Sequence, residues 1–311
     1  MPKKHFSKPT LSLDAQVDLL QQRGLHIPDK ARAKHYLQYI SYYRLSIYGR
    51  SLQQSPATTH QFIQGASFDD ILYRYRFDRE LRLLVLDAIE RIEVALRSRI
   101  VYVFSKAFDA NWYADAGLFR QSKYFDHAKE MQHIQQLCMR SKELFMQHHQ
   151  QTYHDLPPSW KLLEAMSLGE VERLYANTDA SQKRVKNARY NVAQSFGIAP
   201  NLLLSWFKPL CLLRNICAHH GRLWNRKLIY RPQAPKNPHI AWVHHEIENK
   251  QQLYMYLCVV QSLMSTINPH SSWRQRLLAL LDKYADIPQA DMGFPVEWQD
   301  DAFWMVKDET S

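Results

Sequence analysis

The chain has 311 residues, 46% of them apolar and 12% aromatic. That is enough to bury a core in one large domain or two smaller ones. Glycines number only 8 and strict alternation is scarce, so the composition predicts an all-α protein. A net charge of +10 and a pI near 9.3 favour a polyanionic partner, nucleic acid first, over an acidic or neutral one.

The four cysteines, Cys138, Cys211, Cys217 and Cys258, show neither a CxxC pair nor zinc-finger spacing. They are expected to be reduced thiols of a cytoplasmic protein. "MPKKHFSKPT" at 1–10 lacks an apolar centre, so no signal peptide is expected there. No apolar run approaches 20 residues, so no membrane span is expected. The absence of a Gly-rich phosphate loop argues against a nucleoside-triphosphate enzyme. No cofactor or metal is expected.

Residues 1–10 read as a flexible basic arm, and 11–311 as one α-helical domain with an optional N-terminal subdomain over 11–66. Helical periodicity begins at Leu13 and stops at Gly24. Pro28 suits the first turn of a second helix through "ARAKHYLQYISYYRLSIYG". That stretch interleaves Tyr36, Tyr39, Tyr42, Tyr43 and Tyr48 with Arg32, Lys34, His35 and Arg44. Such a face can stack bases and hold phosphates, or can simply pack.

Residues 49–66 read as a polar loop around Pro56, and Ser67 with Asp70 forms a capping-box pattern. The run from Asp69 to Phe108 would be close to 60 Å long at ~1.5 Å per residue, and a break is expected within it. Glu90, Glu93 and Arg97 share one stripe of this run. They either pair within the helix or face an active site.

Residues 109–122 form a connector. A helix is expected over about 123–150, with His148, His149 and His154 near its end and no ligand spacing to make them a metal site. Shorter helices follow at about 159–167, 169–177 and 180–195, and another from Pro200. The segment 229–249 carries three prolines and reads as irregular. Helices near 250–267 and 272–285 follow. The aromatic tail "DMGFPVEWQDDAFW" should fold back on the body.

The helix from Pro200 ends in "RNICAHHGRLWNR" at 214–226. On a helical wheel at ~100° per residue, Leu210, Leu213, Ile216 and Cys217 fall on one side. Arg214, Asn215, His219 and Lys208 fall on the other. Asn215 and His219 are i, i+4 neighbours, and Arg214 can lean toward them. His220 falls on the apolar side of the wheel, so His219 is the better catalytic candidate. Pro209 should bend the helix a turn before the motif.

An imidazole can move a proton near neutral pH. A guanidinium fits a phosphate with two parallel donors. An asparagine can orient the ring or donate to a phosphoryl oxygen. Together these suit attack of a ribose 2′-hydroxyl on its own phosphate without a metal. The plainer alternative is a helix end capped by His219, His220 and Arg222.

"LRNICAHHGRLWNR" closely resembles the C-terminal motif of the Abi-like family, the AbiD/AbiF type of bacterial abortive-infection proteins. "YYRLSIYGR", "RFDRELRLLVLDAIERIEVALRSRI", "PPSWKLLEAMSLGEVERLY" and "MGFPVEW" resemble other family segments, in family order, from about residue 10 to 305. The resemblance places the chain in the HEPN superfamily. It implies a HEPN-like helical bundle with additional N- and C-terminal helices, and an R-x4-H endoribonuclease motif. On that basis Arg214, His219 and Asn215 are the catalytic residues, with Glu93 and His220 in support. Lys208, Arg222, Arg226, Arg44, Tyr43 and Arg97 are candidate RNA contacts. The resemblance further implies a homodimer whose two motifs meet, and a structured non-coding RNA partner.

Two functions follow as expectations. One is a phage-defence ribonuclease, restrained by a bound RNA. The other is a non-catalytic RNA-binding scaffold of a defence or toxin–antitoxin system. A DNA-binding regulator has charge in its favour but no helix–turn–helix or other DNA-reading signature.

Overall fold

The computed structural model describes residue 5 and residues 9–56, 59–236 and 240–305. Most of the expected basic arm, 1–10, lies outside the described residues. Among those residues the protein is all-α: twelve α-helices, joined by loops and short 3-10 turns, with isolated bridges and no sheet. The chain divides into two units, Met1–Glu80 and Leu81–Ser311.

In the first unit, α1 (Leu13–Gln22) starts at Ser12, whose side chain accepts from the Ala15 amide. α2 (Lys30–Ile40) starts at Asp29 in the same way. The single helix expected through residue 49 is in fact two. At Ser41 the backbone turns to φ +75°, ending α2, and its hydroxyl accepts from the Arg44 amide to cap α3 (Tyr42–Gly49). Serine offers the backbone a local alternative to the helix ladder, and apolar periodicity does not register it.

Val17, Leu20, Leu37, Leu45, Tyr48, Phe68 and Ile71 are buried in this unit. The buried Tyr48 hydroxyl donates to Asp78 at 2.6 Å. Gly49 lets α3 approach α4 closely, since a Cβ there would lie 2.9 Å from Ile71.

α4 (Phe68–Ala107) is unbroken over 40 residues, against the expectation of a break. It begins with the Ser67–Asp70 capping box. No proline or glycine occurs within it, so nothing in the run disrupts the ladder.

In the second unit α4 buries a stripe of Val85, Ala88, Ile89, Ile92, Leu96, Ile100 and Phe104. The helix expected over 123–150 is again two, α5 (His127–Arg140) and α6 (Leu144–Thr152). Ser141 separates them, and its hydroxyl accepts from the Glu143 amide at 3.3 Å.

Next come α7 (Ser159–Ala165), α8 (Leu168–Ala176), α9 (Lys183–Gln194) and α10 (Pro200–Ala218). α8 and α9 both pack on α10. α11 (Leu253–Ile267) is buried at every position from Leu253 to Met264 and packs on α10, so it runs inside the core of this unit. α12 (Trp273–Lys283) is tied to α4 by a hydrogen bond from the Trp273 indole to the Leu84 carbonyl at 2.8 Å. The tail does fold back: Met292, Phe294, Trp298, Phe303 and Trp304 are buried.

Candidate active site

The motif lies at the C-terminal end of α10, a helix whose other face is committed to the core. Leu203, Trp206, Phe207, Leu210, Leu213, Ile216 and Cys217 are buried, while Lys208, Asn215 and His219 are exposed. Pro209 lies inside the helix, and the helix continues through it.

The helix ends one residue before the histidines. His219 is the C-cap, and His220 takes the left-handed conformation at φ +57°. The Gly221 amide donates to the Ile216 carbonyl at 2.8 Å and the His220 amide to Cys217 at 3.1 Å. These two bonds form a Schellman ending. It carries histidine at the left-handed position where glycine is usual, and glycine one place later.

This ending corrects the wheel. His220 is exposed, not core-facing, because the helical progression of side chains stops at Ala218. Both imidazoles therefore stand at the surface, His219 on the last helical turn and His220 beyond it.

Arg214 is held from behind. Its Nε lies 3.5 Å from Glu93 Oε2 on α4, with the Arg214 side chain 37% exposed and that of Glu93 14%. The other Glu93 oxygen accepts from Arg97, one turn along α4. Arg97 is itself buried and donates to the carbonyls of Leu163 and, at 2.6 Å, Met166 at the end of α7. A chain of contacts thus runs from α7 through Arg97 and Glu93 to Arg214. Among the described residues, nothing hydrogen-bonds the two terminal nitrogens of Arg214. They form a fork that can meet a phosphate.

Arg222 donates to the Asn225 carbonyl at 2.7 Å, and Arg226 reaches the Arg222 carbonyl at 3.3 Å. Lys208 is exposed two turns before the motif. The structure therefore brings Glu93, Arg97, Arg214, Asn215, His219, His220, Arg222 and Arg226 to two adjoining helices and the turn after α10. It turns Arg97 inward, as a prop for Glu93. Tyr43 and Arg44 belong to α3 of the first unit, with Tyr43 exposed and Arg44 half-buried.

Glu172 escaped the sequence reading. It is buried on α8, and burial raises its carboxyl above the usual 4.5, with Lys208 and Arg173 opposing. Its signal was present: Leu168, Val171, Glu172 and Tyr175 fall at i, i+3, i+4 and i+7, the buried face of an amphipathic helix. Cys211 lies on α10 one turn before Asn215. Burial, reinforced by the Glu172 and Glu93 carboxylates, pushes its thiol up to about 12. It is inert as a nucleophile at neutral pH.

The family model described as "Abi-like protein" matches residues 35–225, which take in the long helix α4 and the Arg-x4-His motif at 214–219. The chain belongs to the Abi-like family. Membership points this Abi-like protein to abortive infection, a defence against phage. No curated protein and no solved structure matches the chain. The Abi-like match begins within α2 and ends just after the motif, so α11, α12 and the aromatic tail lie beyond it. Among the described residues, no helix is long and apolar enough to cross a membrane, and no group of three or more His, Cys, Asp or Glu residues is placed to hold a metal ion.

Proposed function

We propose that this Abi-like protein is a HEPN-type endoribonuclease of phage defence, acting in the cytoplasm without metal or other cofactor. The observation that carries the reading is the Glu93–Arg214 ion pair beneath an exposed Arg-x4-His turn. Glu93 holds the Nε of the guanidinium at 3.5 Å, and no hydrogen bond within the described residues occupies its terminal nitrogens.

In this reading Arg214 holds the scissile phosphate and stabilises the charge that develops on it. His219 takes the proton from the 2′-hydroxyl. The 2′-oxygen bonds to phosphorus, the bond from phosphorus to the 5′-oxygen breaks, and that oxygen takes up a proton. The products are a 2′,3′-cyclic phosphate and a 5′-hydroxyl. Asn215, one turn before His219, orients the ring or donates to a phosphoryl oxygen. A homodimer that joins two motifs supplies a second imidazole for the leaving oxygen. Arg222, Arg226 and Lys208 attract the RNA backbone, and a structured non-coding RNA held there would restrain the nuclease.

The test is product-end analysis on RNA incubated with the purified protein. Wild type should release 2′,3′-cyclic phosphate ends, and Arg214→Ala and His219→Ala should each release them at least about 10²-fold more slowly. Wild-type cleavage rates in both variants would refute the catalytic assignment. Salt-sensitive RNA binding with no cleaved ends on any RNA would leave the scaffold reading.

A further inference from the structure

α2 of the first unit carries flat rings at its surface, and its charges are already spent. Lys30 pairs with Asp18 at 3.5 Å, Arg32 with Asp69 at 2.6 Å, and Lys34 with Asp14 at 2.9 Å. Each cation is matched by a carboxylate, so this helix offers no free row of charge to a phosphate backbone. Its rings are differently placed. Tyr39 is 73% exposed, and the His35 ring stands edge-on to it with centroids 5.0 Å apart. Tyr36 lies next to His35 at 6.2 Å, with the Arg32 guanidinium 5.5 Å from its centroid. Arg32, His35, Tyr36, Tyr39 and Ile40 line a shallow, open cavity of about 430 Å³, within the size range of small-ligand sites. At the first turn of α3, Tyr43 is 89% exposed.

We infer that the α2 cavity lined by His35, Tyr36 and Tyr39 is a stacking site for an unpaired nucleobase of a single-stranded RNA. A base has a π-face whatever its identity, so aromatic side chains hold it by stacking whatever the sequence of the strand. A base inside a duplex cannot reach such a cavity, so the site selects loops, bulges and ends. The inference rests on the RNA reading above, to which it adds a second contact, one that binds strand and does no chemistry.

The test uses the full chain in an Arg214→Ala background, so that the probe is not cut. The probe is a short single-stranded RNA carrying one 2-aminopurine, with its duplex as control. The 2-aminopurine fluorescence should be quenched on binding. Tyr39→Ala and His35→Ala should each lower single-strand affinity by roughly 5- to 100-fold and leave the salt slope unchanged. Tyr39→Trp should retain the affinity. The exposure of Tyr39 makes these changes compatible with folding, which helical circular dichroism checks. If the background protein binds the strand and both alanine variants bind it equally well, the rings serve a protein contact and the inference falls while the RNA reading stands. An equal loss on duplex and strand also overturns it. If neither the background protein nor the wild-type chain binds RNA, both readings fail together.

Discussion

Glu93 Oε2 lies 3.5 Å from Nε of Arg214, a contact between residues on α4 and α10. The same carboxylate is gripped by the buried Arg97. One acidic group therefore has a rigid partner behind it and a partly exposed partner in front. The two arginines should respond to removal in opposite ways.

Arg97→Ala leaves Glu93 and the Leu163 and Met166 carbonyls without their buried partner, and should cost about 3 kcal/mol of stability. Arg214→Ala removes a partly exposed ion pair and should cost under about 1 kcal/mol. It should nevertheless lower RNA cleavage by roughly 10²- to 10³-fold, as loss of one transition-state donor does. Urea midpoints measured beside cleavage rates check both. Equal stability losses in the two variants would remove the distinction between prop and effector.

His220 sits at φ +57° in the Schellman ending of α10. Glycine there should leave stability within about 0.5 kcal/mol, since relief of the left-handed cost offsets the added freedom of the unfolded chain. Valine should cost about 1–2 kcal/mol, because a β-branched side chain is strained in that region. Thermal unfolding distinguishes them. A His220→Gly protein that still cleaves RNA would also confine proton transfer to His219.

Asp301 anchors the tail. Its buried carboxylate accepts from the backbone amides of His244 at 2.6 Å and Phe303 at 2.9 Å, and from the rings of His244 and His245 at 3.1 Å. Burial alone would raise its pKa. The Phe303 and His244 amides and the His244 ring outweigh burial and hold it below 3.8. A depressed folded pKa gives stability that is present above the unfolded value and lost as pH falls through the folded one. Tail packing should therefore loosen below about pH 4. Asp301→Asn should cost about 1–3 kcal/mol at pH 7 and flatten the acid limb. Hydrogen exchange of residues 292–305 across pH 3–7 reads this directly.

Glu172 has the opposite sign. Its carboxyl is raised by burial, with Lys208 and Arg173 opposing. The ionised form is thus penalised in the folded state, and the stability it contributes is lost as pH rises through the folded pKa. Glu172→Gln should raise stability by about 1 kcal/mol at pH 7, and the gain should vanish as pH falls through 4.5. A Gln variant less stable than wild type at pH 7 would show that an ionised Glu172 is favourably paired.

Local chemistry in the sequence was sufficient for the all-α class, for most helix positions from α7 onward, and for the exposure of Lys208, Asn215 and His219. Each rests on apolar periodicity, which one helix can express by itself. The capping box at Ser67 was legible for the same reason. The breaks at Ser41 and Ser141 were not, because a serine hydroxyl competes with the helix ladder only where neighbouring packing lets the chain turn. The outward turn of His220 followed from a backbone reversal that a helical wheel does not contain. Tertiary structure alone decided that Arg97 points inward, and it supplied the contact between Glu93 and Arg214 where the family resemblance had implied only a supporting role for Glu93. Those contacts join segments far apart in the chain, and only packing of α4 against α7 and α10 brings their charges within reach.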